Sequence, residues 1–535
     1  MSKKKKKQTA QSMKWQEWMV WAYLMIMLGV FPLYFRNGYF DMGDSKYLFF
    51  RTVTLGVLAA LIAVWPLNIL AGEKKGWVKP ELTVTDWAAL AYGAAAVVSW
   101  CLSPFRSDAW IGSVGWHMGL LSQLLFVAIY FVVSRFGTEQ KEPLWAMGIG
   151  GGLTFLVAYL HRFDIDPLGL YAEVQDYAKI SFLGTIGNAN WYSSFICVVL
   201  PVMMGVYMTA RWKRTGIGLC QHILSGGFIF LGFCGAVTQS SDSVYAGLGL
   251  AFLFLFWFAL DNRDAWKRFL EIGMIASGAL KITGIFQVLF PERVLSYGAL
   301  SFALTKGNFT WLVLTFLAIV YVVTCQAEKK MSQAQMERFK TLIHWFRIVF
   351  YGLLALGTVA LLMLMWLAST GRIILNSGIW QQTGYLVFDE QWGSRRGWIW
   401  MYGARVFSEY PLSMKLFGCG PDSLSFYTAV HHAEEVRNMW GSSVLTNVHN
   451  EWLTALVNYG IIGGGAYISI FAAALVRILK NERNRPVLIA AGVSIVAYVG
   501  HNFFCFQQAV CTPLIFIVIG TGEYLIRKGG SQKRF

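Results

Sequence analysis

The chain alternates long apolar runs with short polar segments. About fourteen of the runs are long enough to cross a bilayer, which takes about 17–25 residues. The pattern therefore predicts an all-α fold, a polytopic membrane helix bundle of about fourteen transmembrane helices. The predicted spans lie near residues 18–35, 49–71, 85–102, 117–134, 144–160, 190–210, 217–238, 243–260, 269–290, 308–325, 345–368, 452–478, 487–505 and 508–526.

One polar segment interrupts this alternation. Residues 369–451 form an insertion of about 80 residues, too long for an unstructured connector in a compact fold. We expect short helices within it. One runs from Arg396 to about Ser408 and stops at Pro411, and Pro421 suits the first position of a second. Aromatic residues predict that the first of these helices lies against the membrane surface. They are Trp398, Trp400, Tyr402 and Phe407.

Composition and charge agree with a membrane protein. The chain is 56% hydrophobic and only 14% charged, which is outside the range of soluble domains. The net charge of +16 comes from clusters in every second loop, as the positive-inside rule predicts when both termini are cytoplasmic. Because no basic helix is interleaved with aromatic residues, we expect no nucleic-acid binding. The basic loops are 74–79, 135–141, 211–214, 263–268, 329–340 and 480–485.

Topology then divides the chain into five segments. The insertion falls on the extracytoplasmic side, and every other segment is either membrane-embedded or a basic cytoplasmic terminus. The segments are a basic N-terminus at 1–17, transmembrane helices one to eleven at 18–368, the extracytoplasmic loop at 369–451, helices twelve to fourteen at 452–526, and a basic tail at 527–535.

The insertion collects most of the side chains that could do chemistry. It contains several arginines, whose planar guanidinium suits phosphate, and histidines that can take a proton from a hydroxyl. His449-Asn450-Glu451 closes it, where polar sequence returns to apolar. These groups indicate a lipid-linked phosphate donor and a hydroxyl or amine acceptor. His431 and His432 lack a third ligand at useful spacing and the eight cysteines are scattered, so we expect no metal and no cofactor.

Four motifs occur in a recognisable order. They are Ser181–Trp191 before an apolar span, Arg396-Gly-Trp-Ile-Trp400, Phe417–Ser423, and His449-Asn450-Glu451 continuing to Gly463. In this order and spacing the chain resembles the O-antigen ligase and O-antigen polymerase family. The His-Asn-Glu region with its downstream glycine is the most specific part of the resemblance.

The resemblance implies a metal-independent, inverting glycosyltransferase of the bacterial cytoplasmic membrane, with its active face outside. Such enzymes move a glycan from undecaprenyl diphosphate to a lipid, protein or glycan acceptor. By the same resemblance, His449 is the catalytic base, and Arg396 binds the donor diphosphate, with Arg395 as an alternative. The supporting residues are Asn450, Glu451, Asn188, Asn190 and Asp422.

One position departs from the family pattern. The arginine usually found after a mid-chain Thr-x-Ser run is replaced in this chain by Asp242. A second phosphate contact would then come from another basic residue, with Arg437, Arg106 and Lys306 as the candidates. The departure leaves an inactive family member open, and a transporter or lipid-glycan flippase is the alternative from a different class.

Simpler structural roles compete with the functional ones. His449 could cap the helix that begins at Glu451. Arg396 could form a surface salt bridge with Glu409 or Asp422, which would contribute little. The asparagine pair could serve only to shape its loop and to cap the following helix. That pair is Asn188 and Asn190.

Overall fold

The fold of the protein is all-α apart from one small hairpin. The computed structural model describes residues 15–70, 81–210, 215–239, 241–295, 298–330, 333–373, 385–441, 444–483 and 486–532. Three groups of predicted features lie outside these residues. They are most of the N-terminal segment (1–14) and the last three residues (533–535), the basic loops at 74–79 and 211–214, and part of the insertion (374–384).

Helices account for most of the described chain. They are α1 Trp15–Met25, α2 Met42–Leu70, α3 Val84–Leu102, α4 Arg106–Ile111, α5 Leu120–Phe136, α6 Glu142–His161, α7 Ala189–Thr209, α8 Ile217–Thr238, α9 Ser243–Ala259, α10 Arg263–Leu289, α11 Ala299–Lys306, α12 Phe309–Lys330, α13 Gln333–Ser369, α14 Trp392–Glu409, α15 Leu412–Phe417, α16 Leu424–His431, α17 Ala433–Trp440, α18 Glu451–Asn481, α19 Leu488–His501 and α20 Thr512–Gln532. Two-residue strands, β1 Phe182–Leu183 and β2 Gly187–Asn188, pair antiparallel just before α7.

The protein is a polytopic helical membrane protein. Among the described residues, nine helices are long and apolar enough to span a membrane, and three shorter apolar helices accompany them. Every predicted span overlaps a helix, but five of the fourteen do not meet these limits of length and hydropathy. The predicted number of spans therefore exceeds the number of helices that qualify on composition alone.

The core of the bundle is built around α7. Of its most apolar 18-residue stretch, 89% is buried, and it packs against α8, α9 and α19. In contrast, α12 and α13 lie at the periphery, with 6% and 0% of the corresponding stretches buried. The start of α7 and the end of α19 lie beside the start of α18, and we call this the His449 end of the bundle.

The helix α18 is not one continuous span. Gly460 adopts a left-handed conformation (φ 68°) and divides the helix into two parts. The ring of Trp452 lies 5.5 Å from that of Phe471, whereas a straight helix would separate them by about 28 Å at 1.5 Å per residue. Residues 451–459 therefore fold back against the part of α18 that follows Gly460. The predicted span over 452–478 coincides with α18, but the sequence did not predict the reversal at Gly460.

The reversal is held by the glycine turn of the insertion. Breaking the helix frees the carbonyl groups of Val457 and Asn458, and these accept the backbone N–H groups of Cys419 (3.2 Å) and Gly420 (3.1 Å). The backbones approach so closely that a Cβ on Gly418 would overlap the Asn458 carbonyl. We call this contact between residues 418–420 and 457–460 the glycine clasp.

One serine within α3 and one just after its end form hydrogen bonds to the glycine clasp. Ser99 Oγ donates to the Asn458 carbonyl (2.9 Å), and Ser103 Oγ donates to the Cys419 carbonyl (2.6 Å). The insertion is thereby fixed to two membrane helices at once.

The described part of the insertion folds into helices around its own small core. The first regular turn of α14 starts at Arg396, because residues 393–395 are left-handed, so the predicted start at Arg396 is confirmed. The predicted helix start at Pro421 is wrong, since Asp422 is left-handed (φ 52°) and α16 begins at Leu424. The aromatic face of α14 was expected at the membrane surface, but Trp398 and Tyr402 are buried in the insertion's core.

We predict that Gly418→Ala destabilises the protein strongly. The added methyl would overlap the Asn458 carbonyl, and φ is +79° at this position, so we expect a loss of about 1–3 kcal/mol. Gly465→Ala in α18 is the control, because nothing lies within 4 Å of its Cβ. It should be neutral or stabilise by up to about 1 kcal/mol. Thermal unfolding of the detergent-solubilised protein measures both, and equal unfolding temperatures would contradict the clasp.

Candidate active site

His449 is positioned by a strained turn that leads into α18. Its backbone is left-handed (φ 50°), a conformation that non-glycine residues seldom adopt outside sites that require it. Its N–H donates to Asn447 Oδ1 (3.0 Å). The next residue, Asn450, caps the helix by accepting the Leu453 N–H (3.0 Å). The suggestion that His449 is the cap is therefore wrong, since Asn450 fills that role and leaves the imidazole available.

The imidazole of His449 lies between aromatic rings. Its centroid is 5.0 Å from that of Phe506, edge to face, and 6.1 Å from that of Trp440. The residue is half-buried, and among the described residues no hydrogen bond engages either ring nitrogen. Burial, together with the charge of Arg396, lowers the pKa of His449 to about 4. The ring is therefore neutral near pH 7 and can accept a proton.

Arg396 lies close enough for its charge to act on His449. Its Nε–H donates to the Phe504 carbonyl (3.2 Å) and its Nη1 donates to the Gly393 carbonyl (3.0 Å). Among the described residues it forms no salt bridge, so the proposed pairing with Glu409 or Asp422 is absent from this part of the chain. Burial lowers the pKa of Arg396, but a guanidinium remains charged at any working pH. Two carbonyls thus orient the group, and Nη2 is left to bind an anion.

Asp242 lies within the electrostatic range of Arg396. Its carboxylate raises the pKa of that arginine, and its Oδ2 accepts the hydroxyl of Tyr385 (3.0 Å). Asp242 itself is exposed. The position where the sequence departs from the family pattern therefore contributes a negative charge within the electrostatic range of Arg396.

Glu451 anchors the start of α18 in the bundle. Its carboxylate is buried and accepts hydrogen bonds from Tyr467, Tyr498 (3.0 Å) and Asn502. Its backbone N–H donates to the Asn502 carbonyl (2.9 Å). Glu451 thus supports the site by holding the turn of His449 against α19, and its own carboxylate faces away from solvent.

The two asparagines at the start of α7 have structural roles. Asn188 Oδ1 accepts the Asn190 N–H (2.8 Å) and caps α7, which confirms the capping alternative. The Asn190 carbonyl accepts the thiol of Cys505 (3.7 Å). They tie the start of α7 to the irregular segment that carries Phe504 and Phe506.

Asp422 lies away from His449. Its buried Oδ2 accepts the N–H groups of Ser113 (2.7 Å) and Met118 (3.3 Å). These bonds fasten the insertion to the loop between α4 and α5, so Asp422 maintains the position of the insertion.

The other predicted cations are peripheral. Arg395 is exposed, and its guanidinium donates to the Met439 carbonyl (3.3 Å). Arg437 is exposed on α17, and no described contact joins it to Arg396 or His449. Arg106 and Lys306 are exposed as well. Of the predicted phosphate ligands, only Arg396 lies beside the histidine.

Sequence reasoning missed several residues of the site. Phe504 and Phe506 come from the irregular chain between α19 and α20, and Tyr385 comes from the start of the described insertion. A break in an apolar run around Phe506 was visible in the sequence. However, nothing in the sequence indicated that this break would lie against a histidine more than fifty residues away.

Residues 294–468 match the family model of O-antigen ligase. This part of the chain is therefore similar to the O-antigen ligase family. The match spans about a third of the chain and includes the insertion, His449 and the reversal at Gly460. It leaves out Asp242 and the asparagines at the start of α7, which the fold brings to the same end of the bundle. No curated protein matches this chain.

The buried carboxylate of Asp422 in the insertion gives a pH-dependent prediction. Burial raises the pKa of Asp422 to about 7, above the unfolded value of about 3.9. Its stabilising contribution is therefore complete below about pH 4 and is lost as pH rises through about 7. In Asp422→Asn that dependence disappears, so the unfolding temperature of the wild type should fall relative to the variant between about pH 5 and pH 8.

The control for this prediction is the exposed carboxylate of Asp389. Asp389→Asn removes an exposed carboxylate of the same insertion and measures how much of the effect comes from the loss of any one negative charge there. A difference between wild type and Asp422→Asn that does not change with pH would contradict the assignment.

Proposed function

We propose that the protein is a membrane glycosyltransferase. It transfers a glycan from a polyprenyl-diphosphate donor, undecaprenyl diphosphate in bacteria, to a hydroxyl group of a lipid, protein or glycan acceptor. The observation that carries the proposal is the pairing of a neutral imidazole with an arginine that has no carboxylate partner among the described residues. The O-antigen ligase match over the residues that build this pair supports it.

His449 is the general base of the proposed reaction. The acceptor hydroxyl attacks the anomeric carbon, and its proton passes to a ring nitrogen of His449. The new bond joins the acceptor oxygen to that carbon, with inversion. The bond between the anomeric carbon and the diphosphate oxygen breaks, and its electron pair leaves with the diphosphate.

Arg396 stabilises the leaving group. Charge grows on the diphosphate as the glycosidic bond breaks, and a preoriented guanidinium at that point lowers the barrier. Binding of the donor also changes the basicity of His449. Burial is the larger cause of the lowered pKa of His449 and the charge of Arg396 is the smaller one. A bound diphosphate offsets that charge, so the imidazole becomes a stronger base once the donor is in place. No metal enters this scheme.

The proposed topology follows from charge. Both termini are cytoplasmic, about fourteen helices span the bacterial cytoplasmic membrane, and residues 369–451 face the outside. The boundaries of the five segments are those predicted from the sequence. The site then opens to the compartment where lipid-linked glycans are joined to the cell surface.

We predict that His449→Ala lowers transfer by at least about 10²–10⁴-fold, the usual contribution of a general base. The assay uses purified protein in liposomes with an undecaprenyl-diphosphate-linked glycan and detects the transferred product. His431→Ala is the matched control, because His431 is exposed in the same insertion. Full transfer by His449→Ala, with normal abundance, would exclude His449 as the base.

Arg396→Gln should reduce use of the donor far more than use of the acceptor. The loss expected is about 10²–10³-fold, as for removal of one preorganised donor. Arg395→Gln is the control. The guanidinium of Arg395 is exposed, and among the described residues its hydrogen bond is to a backbone carbonyl. Both substrates are varied to separate the two Michaelis constants. Equal losses on both sides would indicate structural damage instead.

Ligase and polymerase activities can be separated in cells. Mass spectrometry of surface glycans in a deletion strain distinguishes them. Shortened glycan chains indicate a polymerase, whereas free lipid-linked glycan with loss of attachment indicates a ligase. An unchanged glycan profile together with altered export would favour the transporter alternative.

A further inference from the structure

The proposed mechanism assigns no role to the carboxylate of Asp242. It caps no helix with its side chain, it is exposed, and it lies between α8 and α9 at the His449 end. Its negative charge reaches Arg396. A phosphate site would gain nothing from such a neighbour.

The position of Asp242 is fixed from the insertion side. The Tyr385 hydroxyl donates to Oδ2 (3.0 Å), and the same hydroxyl is within the field of Arg396. On the opposite side, a Cβ on Gly298 would lie 3.5 Å from Oδ1. The carboxylate is therefore held at the edge of the site between the insertion and the start of α11.

The negative charge of Asp242 determines which of the two substrates it can bind. A diphosphate on Arg396 carries negative charge, and like charges in a partly desolvated site repel each other. Asp242 is thus unfavourable for the donor. It is favourable for a group that donates hydrogen bonds or carries positive charge, such as a sugar hydroxyl or an ammonium.

We propose that Asp242, held by Tyr385, is a specificity-determining residue that binds the acceptor glycan through a hydroxyl or ammonium group. Sugars with free amines should bind more tightly than neutral sugars, and neutral sugars more tightly than anionic ones. This inference rests on the proposed function for the identity of the acceptor site. The binding preference itself does not require turnover.

Equilibrium binding tests the preference directly. The probes are a glucosamine tetramer with free amines and its fully N-acetylated counterpart, titrated into the full-length protein in nanodiscs. We expect the wild type to bind the amine form at least about fivefold more tightly. Asp242→Asn should abolish the difference, and Tyr385→Phe should reduce it. Glu434→Gln, an exposed carboxylate of α17, is the control and should retain it.

Transfer kinetics give the second readout. In Asp242→Asn the acceptor KM should rise about tenfold, while the donor KM stays the same or falls because a repulsive charge is gone. A wild type without amine preference, or a variant in which only the donor KM changes, would overturn the proposal. If amine preference depends on Asp242 but no transfer occurs, the proposed function fails and the binding site for the glycan stands.

Discussion

The reversal of α18 at Gly460 is the constraint on which the site depends. A helix that breaks in an apolar environment exposes carbonyl groups that must find partners, because no water replaces the lost hydrogen bonds. Here the partners are the N–H groups of Cys419 and Gly420. Two glycines permit the approach, and a side chain at either would displace the other backbone. The insertion and the membrane bundle are thus joined by main-chain atoms.

The consequence of this constraint is the placement of His449. Because residues 451–459 fold back, the start of α18 is drawn in beside α19, where the buried carboxylate of Glu451 meets three hydrogen-bond donors. The residue two positions earlier is then presented toward the irregular chain of Phe504 and Phe506. The short length of α19 also contributes to the placement of His449. With 14 residues, α19 rises only about 21 Å, less than the hydrocarbon core of about 30 Å.

The electrostatics of the site follow from what surrounds each charge. Arg396 is oriented by carbonyl groups and forms no salt bridge among the described residues, and its charge acts on the imidazole of His449. Asp242 places the opposite charge at the edge of the site, held by a hydroxyl from the insertion. In the proposed scheme the cation serves the anionic donor, and the anion serves an acceptor rich in hydrogen-bond donors.

Much of this protein could be predicted from its sequence. Apolar runs of bilayer length locate the membrane helices. This works because the free-energy cost of exposing apolar surface, and that of leaving backbone groups unpaired, both depend on the local sequence. The motif containing His449 identifies the candidate base, and Arg396 begins its helix as predicted. Tertiary structure decided the rest. A left-handed glycine inside an apolar run looks like any other small residue, so the reversal of α18 could not be seen. Likewise, the sequence did not separate Arg396 from Arg395 and Arg437, because an arginine's partners depend on which carbonyls and carboxylates the fold brings within a few ångströms.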